Sequence, residues 1–402
     1  MSSADPKPPV LLSRLGPRQQ LIPTLCYYAA FVGLGMSTAS MGPSLAGLAQ
    51  HTQSRLSEIS FLFVSRSLGY MLGSLLGGRL YDRVPGHRLM MTALCVMAAM
   101  LVLASGMPLL WALTLLLLIL GLGEGTVDVG GNTLLIWVHG RQVGPFMNGL
   151  HFCYGLGAFL SPIVVAQLVL LSGDITWAYW AIAALLLVPI ILLWRPPSPP
   201  VPAAGVNRRR SAEPVRRGLV ALIATFFFLH VGAEASYGGW AFTYAVTQGL
   251  GTATLAAYLT SAYWGAIGIG RLLSIPIAAR FSAETILIGD LLGCLVSTGI
   301  VALFPASSLA LWLGTFGLGL SIASLYPMTL CLGEQRMPIT GSVTGWFLVG
   351  GSIGSMFLPW LIGQLFEPVG PRVVIGAIGA ALAAAVIVLL VIGKRPAPAP
   401  GE

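Results

Sequence analysis

The chain has 402 residues, of which 56% are hydrophobic and only 8% charged, with 50 glycines, a balance that excludes an ordinary soluble domain. The formal net charge of +8 suggests a nucleic-acid partner at first sight. The basic residues, however, gather at helix ends on one side of an oily barrier, so they speak for topology and exclude nucleic acid.

Apolar runs of the roughly 20 residues that a helix needs to cross a bilayer recur along nearly the whole chain. They predict 12 transmembrane helices, over 20–49, 58–83, 87–106, 108–138, 143–172, 176–195, 218–248, 252–281, 283–303, 307–335, 340–368 and 371–393. Continuous apolar runs favour helices over a barrel, whose strands alternate over about 10 residues. Ahead of the first helix, Lys7, Arg14 and Arg18 lie among prolines with no small-residue cleavage site, so that helix is expected to stay attached. Arg79, Arg83, Arg88, Arg141, Arg195, the basic cluster in 208–217, Arg280, Arg336, Lys394 and Arg395 fall on the same side, whereas Arg55 and Arg372 fall on the other. This asymmetry places both termini in the cytoplasm of a plasma membrane, the inner membrane for a bacterium. Five cysteines stand inside predicted helices at no metal-ligand spacing, and are read as small packing residues without a disulfide.

The polar, proline-rich stretch "RPPSPPVPAAGVNRRRSAEPVRR" (195–217) divides the chain into an N-terminal six-helix bundle, 1–194, a cytoplasmic linker, 195–217, and a C-terminal six-helix bundle, 218–402. The halves echo one another at an offset of about 197 residues. "GLGAFLSP" (155–162) lies over "SIGSMFLP" (352–359), bringing Gly157 over Gly354 and Pro162 over Pro359, and "GLG" at 121–123 lies near "GLG" at 317–319. Such weak internal symmetry points to two related bundles with a site between them. The chain is expected to be monomeric.

In "GGRLYDRVPGHR" (77–88), Gly78, Asp82, Arg83 and Arg88 resemble the signature between helices 2 and 3 of the major facilitator superfamily, although Gly86 comes one residue late and the second-half counterpart "AARFSAET" keeps only Arg280. The resemblance implies an all-α membrane protein of two pseudo-symmetric bundles that works by alternating access, with Asp82 and its neighbours as a gating element. Within that superfamily, "GEGTVDVGGNTLL", "GLHFCYGLGAFLSP", "HVGAEASYGGWAFTYAV" and "YWGAIGIGRLLSIP" are similar to the branch of sodium-dependent glucose transporters and fucose–proton symporters. That second resemblance implies a monosaccharide or similar polyol carried together with H⁺ or Na⁺, and no cofactor besides the coupling ion. Two departures bear on it. "ALTLLLLILGLGEG" lacks the arginine that many proton-coupled members carry in helix 4, and "LSP" replaces the antiporter Gly-Pro signature of helix 5, which leans toward symport through carboxylates.

The intramembrane polar residues supply the chemistry. Glu124, Asp128 and Asn132 are four residues apart and drift only about 40° per step, forming one stripe on the fourth helix. An ionised group at mid-membrane costs ~2.5–3.5 kcal/mol on insertion scales, so these carboxylates require pairing, water or a cation. Glu124, Asp128 and Glu234 against Arg66 and Arg271 leave one negative charge over, and are assigned as the cation-coupling set. Asp290 is expected to pair with Arg271 or Arg280. For the solute, Asn132, His151, Glu234, Tyr237, Trp240, Trp264 and Arg271 offer donors, acceptors and flat apolar faces of the kind a hydroxylated ring needs. Each has a competing reading: interhelical hydrogen bonds for the helix 4 stripe, a satisfied core residue for His151 and His230, structural counter-ions for Arg66 and Arg271, packing for the tryptophans. The glycines of helices 4 and 5 are read either as close-packing positions or as hinges.

The function expected from all this is a cation-coupled symporter of a small hydroxylated solute. The alternative is an exporter of amphipathic cations, drugs or lipids by proton antiport, which mid-membrane acids would serve equally. An enzyme is not expected: there is no metal cluster, nucleophile elbow or sizeable extramembrane domain in the sequence.

Overall fold

A computed structural model describes residues 17–200, 217–337 and 341–394, and all the regular structure within them is helical. The first half runs α1 (Pro17–Thr52), α2 (Leu56–Ile59), α3 (Phe61–Tyr81), α4 (Gly86–Ser105), α5 (Leu110–His139), α6 (Val143–Ser172) and α7 (Thr176–Leu193). The second runs α8 (Arg217–Thr247), α9 (Ala253–Ala278), α10 (Ala283–Leu303), α11 (Ser308–Ile322), α12 (Leu325–Arg336), α13 (Gly341–Val369) and α14 (Val373–Gly393). Most of the linker, 201–216, lies outside the described residues.

Two of the expected spans are broken rods. α2 and α3 are separated at Ser60, and α11 and α12 at Ala323 and Ser324. The second break has a local cause, because the Pro327 ring has no N–H to give and crowds the carbonyl of Ala323 four residues back. Among the described residues, 11 helical segments are long and apolar enough to cross a membrane. α9 is not one of them although it has 26 residues. Tyr258, Thr260, Ser261, Tyr263 and Arg271 dilute its apolar character, as suits a helix that faces a polar interior.

Helix ends follow the sequence closely. Thr252, Ser282 and Ser307 cap α9, α10 and α11 by accepting from the backbone N–H three residues on. Gly173 ends α6 at φ +75°, a left-handed turn that a side chain would strain.

The packing repeats. α1 lies along α6 and α3 along α5 in the first half; α8 lies along α13 and α9 along α11 in the second. Between the halves, α1 meets α8, α6 meets α9, and α2 and α3 meet α13. The hydrogen bonds that cross this interface among the described residues fall at mid-depth, from Ser67 Oγ to the Ser355 carbonyl, and toward the ends away from the termini, at Leu56–Glu367, Gln167–Tyr258 and Gln364–Ser57. In this state the halves are therefore tied together on the face opposite the termini.

Candidate functional site

The site begins with two glycines. Gly121 and Gly125 of α5 lie against the backbone of α3, where a methyl group would collide with the carbonyls of Arg66 and Tyr70 respectively. Because these contacts repeat every four residues on two parallel helices, they set Arg66 beside Glu124 and Tyr70 beside Asp128.

The first pair is a closed unit. Arg66 donates from Nε to Glu124 Oε2 at 2.9 Å and from Nη2 to Oε1 at 2.5 Å, and from Nη1 to the Thr38 carbonyl at 3.2 Å. Ser37 Oγ donates to Glu124 Oε1 at 2.6 Å. With Arg66 8% and Glu124 2% exposed, charge and hydrogen-bonding capacity are both met within the protein, in the bidentate geometry that suits a guanidinium. Glu124 is expected from the sequence as one of three cation-coupling carboxylates. The structure instead fastens it to a permanent cation, and its charge is already balanced.

Asp128, one turn on, is different. Tyr70 donates its hydroxyl to Oδ2 at 2.6 Å, and Asn132 Nδ2 bonds the Asp128 carbonyl at 2.8 Å and Oδ1 at 3.3 Å. Both side chains are only half-buried, and among the described residues no cation forms an ion pair with Asp128. From the other half, Glu234 on α8 and Arg271 on α9 are half-buried as well. They interact electrostatically without forming an ion pair.

Two tyrosines show that the halves converge here. Tyr154 on α6 lies within electrostatic reach of Asp128, Glu234 and Arg271, and so does Tyr326 on α12. His151, one turn before Tyr154, lies exposed, within reach of Arg271 and edge-on to Phe31. Neither these tyrosines nor Tyr70 was among the residues selected from sequence. The available signal was a phenol placed inside an apolar run, and for Tyr70 its spacing of four from Arg66.

Trp264 on α9 is half-buried, its ring accommodated by Gly238 on α8, and its buried indole N–H has no acceptor among the described residues. The other aromatic candidates on α8 are corrected by the structure. Trp240 is 0% exposed, donates to the Pro359 carbonyl at 3.0 Å and stacks on Phe366. Tyr237 is 1% exposed, bonded to Thr315 and packed on Tyr263. Each has its polar atom satisfied inside a helix contact, with no edge left for a solute. His230 is fully buried, with Nδ1 bound to the Phe226 carbonyl at 2.8 Å. Asp290 accepts from Ser324 Oγ at 2.5 Å and makes no ion pair with Arg271 or Arg280; the break between α11 and α12 turns that hydroxyl toward it.

Toward the termini, Asp82, Arg83 and Arg88 are exposed at the turn between α3 and α4, and Gly78 is half-buried just before it. Asp82 makes no ion pair among the described residues. Among the described residues no group of three or more His, Cys, Asp or Glu could hold a metal ion.

Comparison with known proteins agrees with this architecture. Sodium-dependent glucose transporter 1A of Mus musculus is 30% identical over 402 residues, spanning 90% of this chain and 94% of that protein. Sodium-dependent glucose transporter 1 of Homo sapiens is 32% identical, spanning 89% of this chain and 77% of its own length. Among solved structures, a D-xylose-proton symporter superposes with a TM-score of 0.75 at 16% identity, over 92% of this chain and 97% of that one. The nucleoside transporter NupG superposes with a TM-score of 0.72 at 15% identity, over 94% and 100%. These likenesses show the fold. A family model described as Major Facilitator Superfamily matches residues 27–347, and with that span and those relatives the chain belongs to the Major Facilitator Superfamily, a family of transporters and not of enzymes.

Proposed function

We propose that the protein is a secondary carrier that moves a monosaccharide or similar hydroxylated solute together with a cation, H⁺ or Na⁺, by alternating access between two bundles, 1–194 and 218–402. Both termini would face the cytoplasm of the plasma membrane. The observation that carries the reading is the meeting of Asp128 from one half with Glu234 and Arg271 from the other, around hydroxyl-bearing rings, with no ion pair among the described residues closing either carboxylate. A hydroxylated ring is held by convergent donors and acceptors with a flat apolar wall. Asn132, His151, Tyr154 and the Trp264 indole N–H supply the first, and the aromatic faces supply the second. Asp128 and Glu234 are the cation carboxylates of this scheme, and Arg271 restrains their repulsion and offers donors to the solute. Glu124 serves through Arg66, which it holds in place. Asp82, Arg83 and Arg88 remain the gating element of the terminal face. The names of the relatives favour sugar over other solutes.

The test is counterflow and gradient-driven uptake in proteoliposomes, with a panel of labelled monosaccharides, with and without Na⁺ and at two pH values. Saturable, cation-dependent accumulation of one sugar is expected. Flux of lipophilic cations with no flux of any sugar would overturn the reading in favour of export.

A further inference from the structure

Among the contacts that hold the face opposite the termini shut, three are arranged regularly. At the centre, α1 and α8 touch through glycine, the Gly42 position lying directly against the Gly238 carbonyl. On one flank, Gln167 of α6 donates from Nε2 to the Tyr258 hydroxyl of α9 at 2.5 Å. On the other, Gln364 of α13 donates from Nε2 to the Ser57 carbonyl at 2.7 Å and to Ser60 Oγ at 3.2 Å. The offset of 197 that carries Pro162 onto Pro359 also carries Gln167 onto Gln364. The two glutamines are thus the same residue of the repeat, five positions after the same proline, and each reaches into the opposite half.

From this geometry we infer that Gln167 and Gln364 are a symmetry-related pair of latches that set the opening of the face away from the termini; the inference rests on the transport reading for its purpose but not for its test. A glutamine suits the task. It is neutral, so the bond can break and re-form without desolvating a charge, and one such bond contributes little enough that a few of them bias an equilibrium without freezing it. The flanking bonds differ in kind: a hydroxyl on the Tyr258 side, a main-chain carbonyl and a hydroxyl on the Ser57 side. Near the second latch Glu367 Oε1 accepts from the Leu56 N–H at 3.2 Å, adding a third polar tie at the end of α13. Two ring contacts fill the space beneath, with Phe63 against the Gly239 position and Trp240 beside Gly363. Loss of both latches leaves this apolar plug with no polar tie on the Gln167 side.

Spin labels at Gln53 and Ala253, exposed on the two sides of this face, report its width by pulsed distance measurement on the purified full chain, with native cysteines replaced. Unmodified glutamines should give a dominant short distance. Gln167→Ala and Gln364→Ala should each raise the ratio of open to closed populations roughly 2–10-fold, the equivalent of one neutral hydrogen bond, and the double variant should multiply the two. Tyr258→Phe, which keeps the ring and removes only the acceptor, should reproduce Gln167→Ala and separates gating from misfolding. An unchanged distance distribution in the double variant, or a Tyr258→Phe profile like that of the unmodified chain, overturns the proposal. The distances need no substrate, so a failure of sugar transport and a failure of the latches are distinguishable.

Discussion

Replacing Glu124 with Gln keeps the shape and the hydrogen-bonding positions of the side chain and removes its charge. The Arg66–Glu124 pair shows side-chain exposures of only 9% and 3%, so water cannot take over the lost interaction and solvent screening offers no discount. Arg66 would be left with its charge, the Thr38 carbonyl and an amide oxygen. Breaking a buried pair in this way costs ~3–5 kcal/mol, whereas replacing both partners by uncharged residues of similar volume is close to neutral, because the desolvation of two ions disappears along with their attraction. The expected pattern is a large loss for Glu124→Gln and recovery to within ~1 kcal/mol in Glu124→Gln combined with Arg66→Met. Reversible unfolding in mixed detergent–lipid micelles, followed by tryptophan fluorescence, measures both. The double-mutant cycle should give a coupling of several kcal/mol. Asp128→Asn, whose partners Tyr70 and Asn132 can serve an amide, should destabilise far less. Equal losses for Glu124→Gln and Asp128→Asn, or additivity of the two changes in the pair, would refute the assignment of Glu124 to a fixed counter-ion role.

For the transport cycle, Asp128→Asn should abolish accumulation against a gradient while sparing counterflow, read in the same proteoliposomes. Gly125→Ala, which drives a methyl into the Tyr70 carbonyl, should cost ~1–3 kcal/mol by overpacking, while Gly155→Ala, with open space around its Cβ position, should be neutral or slightly stabilising through helix propensity; thermal unfolding of the two variants compares them directly. Trp264→Phe removes an indole N–H that no described protein atom uses and should weaken solute binding ~2–10-fold with little change in stability, whereas Trp240→Phe gives up the bond to the Pro359 carbonyl and should lower stability by about 1 kcal/mol with no direct effect on binding. In the α6–α7 turn, the Thr176 hydrogen bond and then His51 hold the Asp174 carboxyl below its ordinary value of 3.8. Its contribution is therefore complete above about pH 4 and lost as pH falls through the lowered folded value, so Asp174→Asn should lower stability slightly at neutral pH and converge with the unmodified chain in acid.

The helices were legible because membrane crossing imposes length and composition on each segment separately. α6 and α10 begin and end where the apolar runs do. The α11–α12 break was not read, since a proline inside an apolar run signals a kink only once the run is known to continue past it. At the site, the stripe Glu124–Asp128–Asn132 was visible from its period of four, but its division of labour was not. Which carboxylate is neutralised depends on where α3 docks, and that is fixed by Gly121 and Gly125 admitting its backbone, a contact between residues 50 and more positions apart. Trp240 is a candidate for its flat ring alone, without regard to the helix period. Six residues from Glu234 is about 600° of helix, some 240° round the axis, so the two cannot share a face.

The position of the Arg66–Glu124 ion pair bears on the cation requirement of the proposed carrier. Of the arginines inside the membrane, Arg66 is spent on Glu124 one turn away from Asp128, and Arg271 stands within reach of Glu234, His151, Tyr154 and Tyr326 while pairing with none of them. Arg271 acts electrostatically on Glu234 while Asp128 faces Tyr70 and Asn132, so in the proposed carrier the inter-half space would carry an excess negative charge whenever both carboxylates are ionised. In a low-dielectric interior that excess costs several kcal/mol and is relieved by a mobile cation or by proton uptake. A permanent cation on Asp128 would relieve it too, but it would also make the site indifferent to the ion outside, and a gradient of that ion could do no work through it. Placing the arginine one turn off, where it fixes Glu124 and leaves Asp128 to Tyr70 and Asn132, keeps the local structure rigid and the charge unmet; in a symporter, that unmet charge is what ties movement of the neutral solute to movement of the ion.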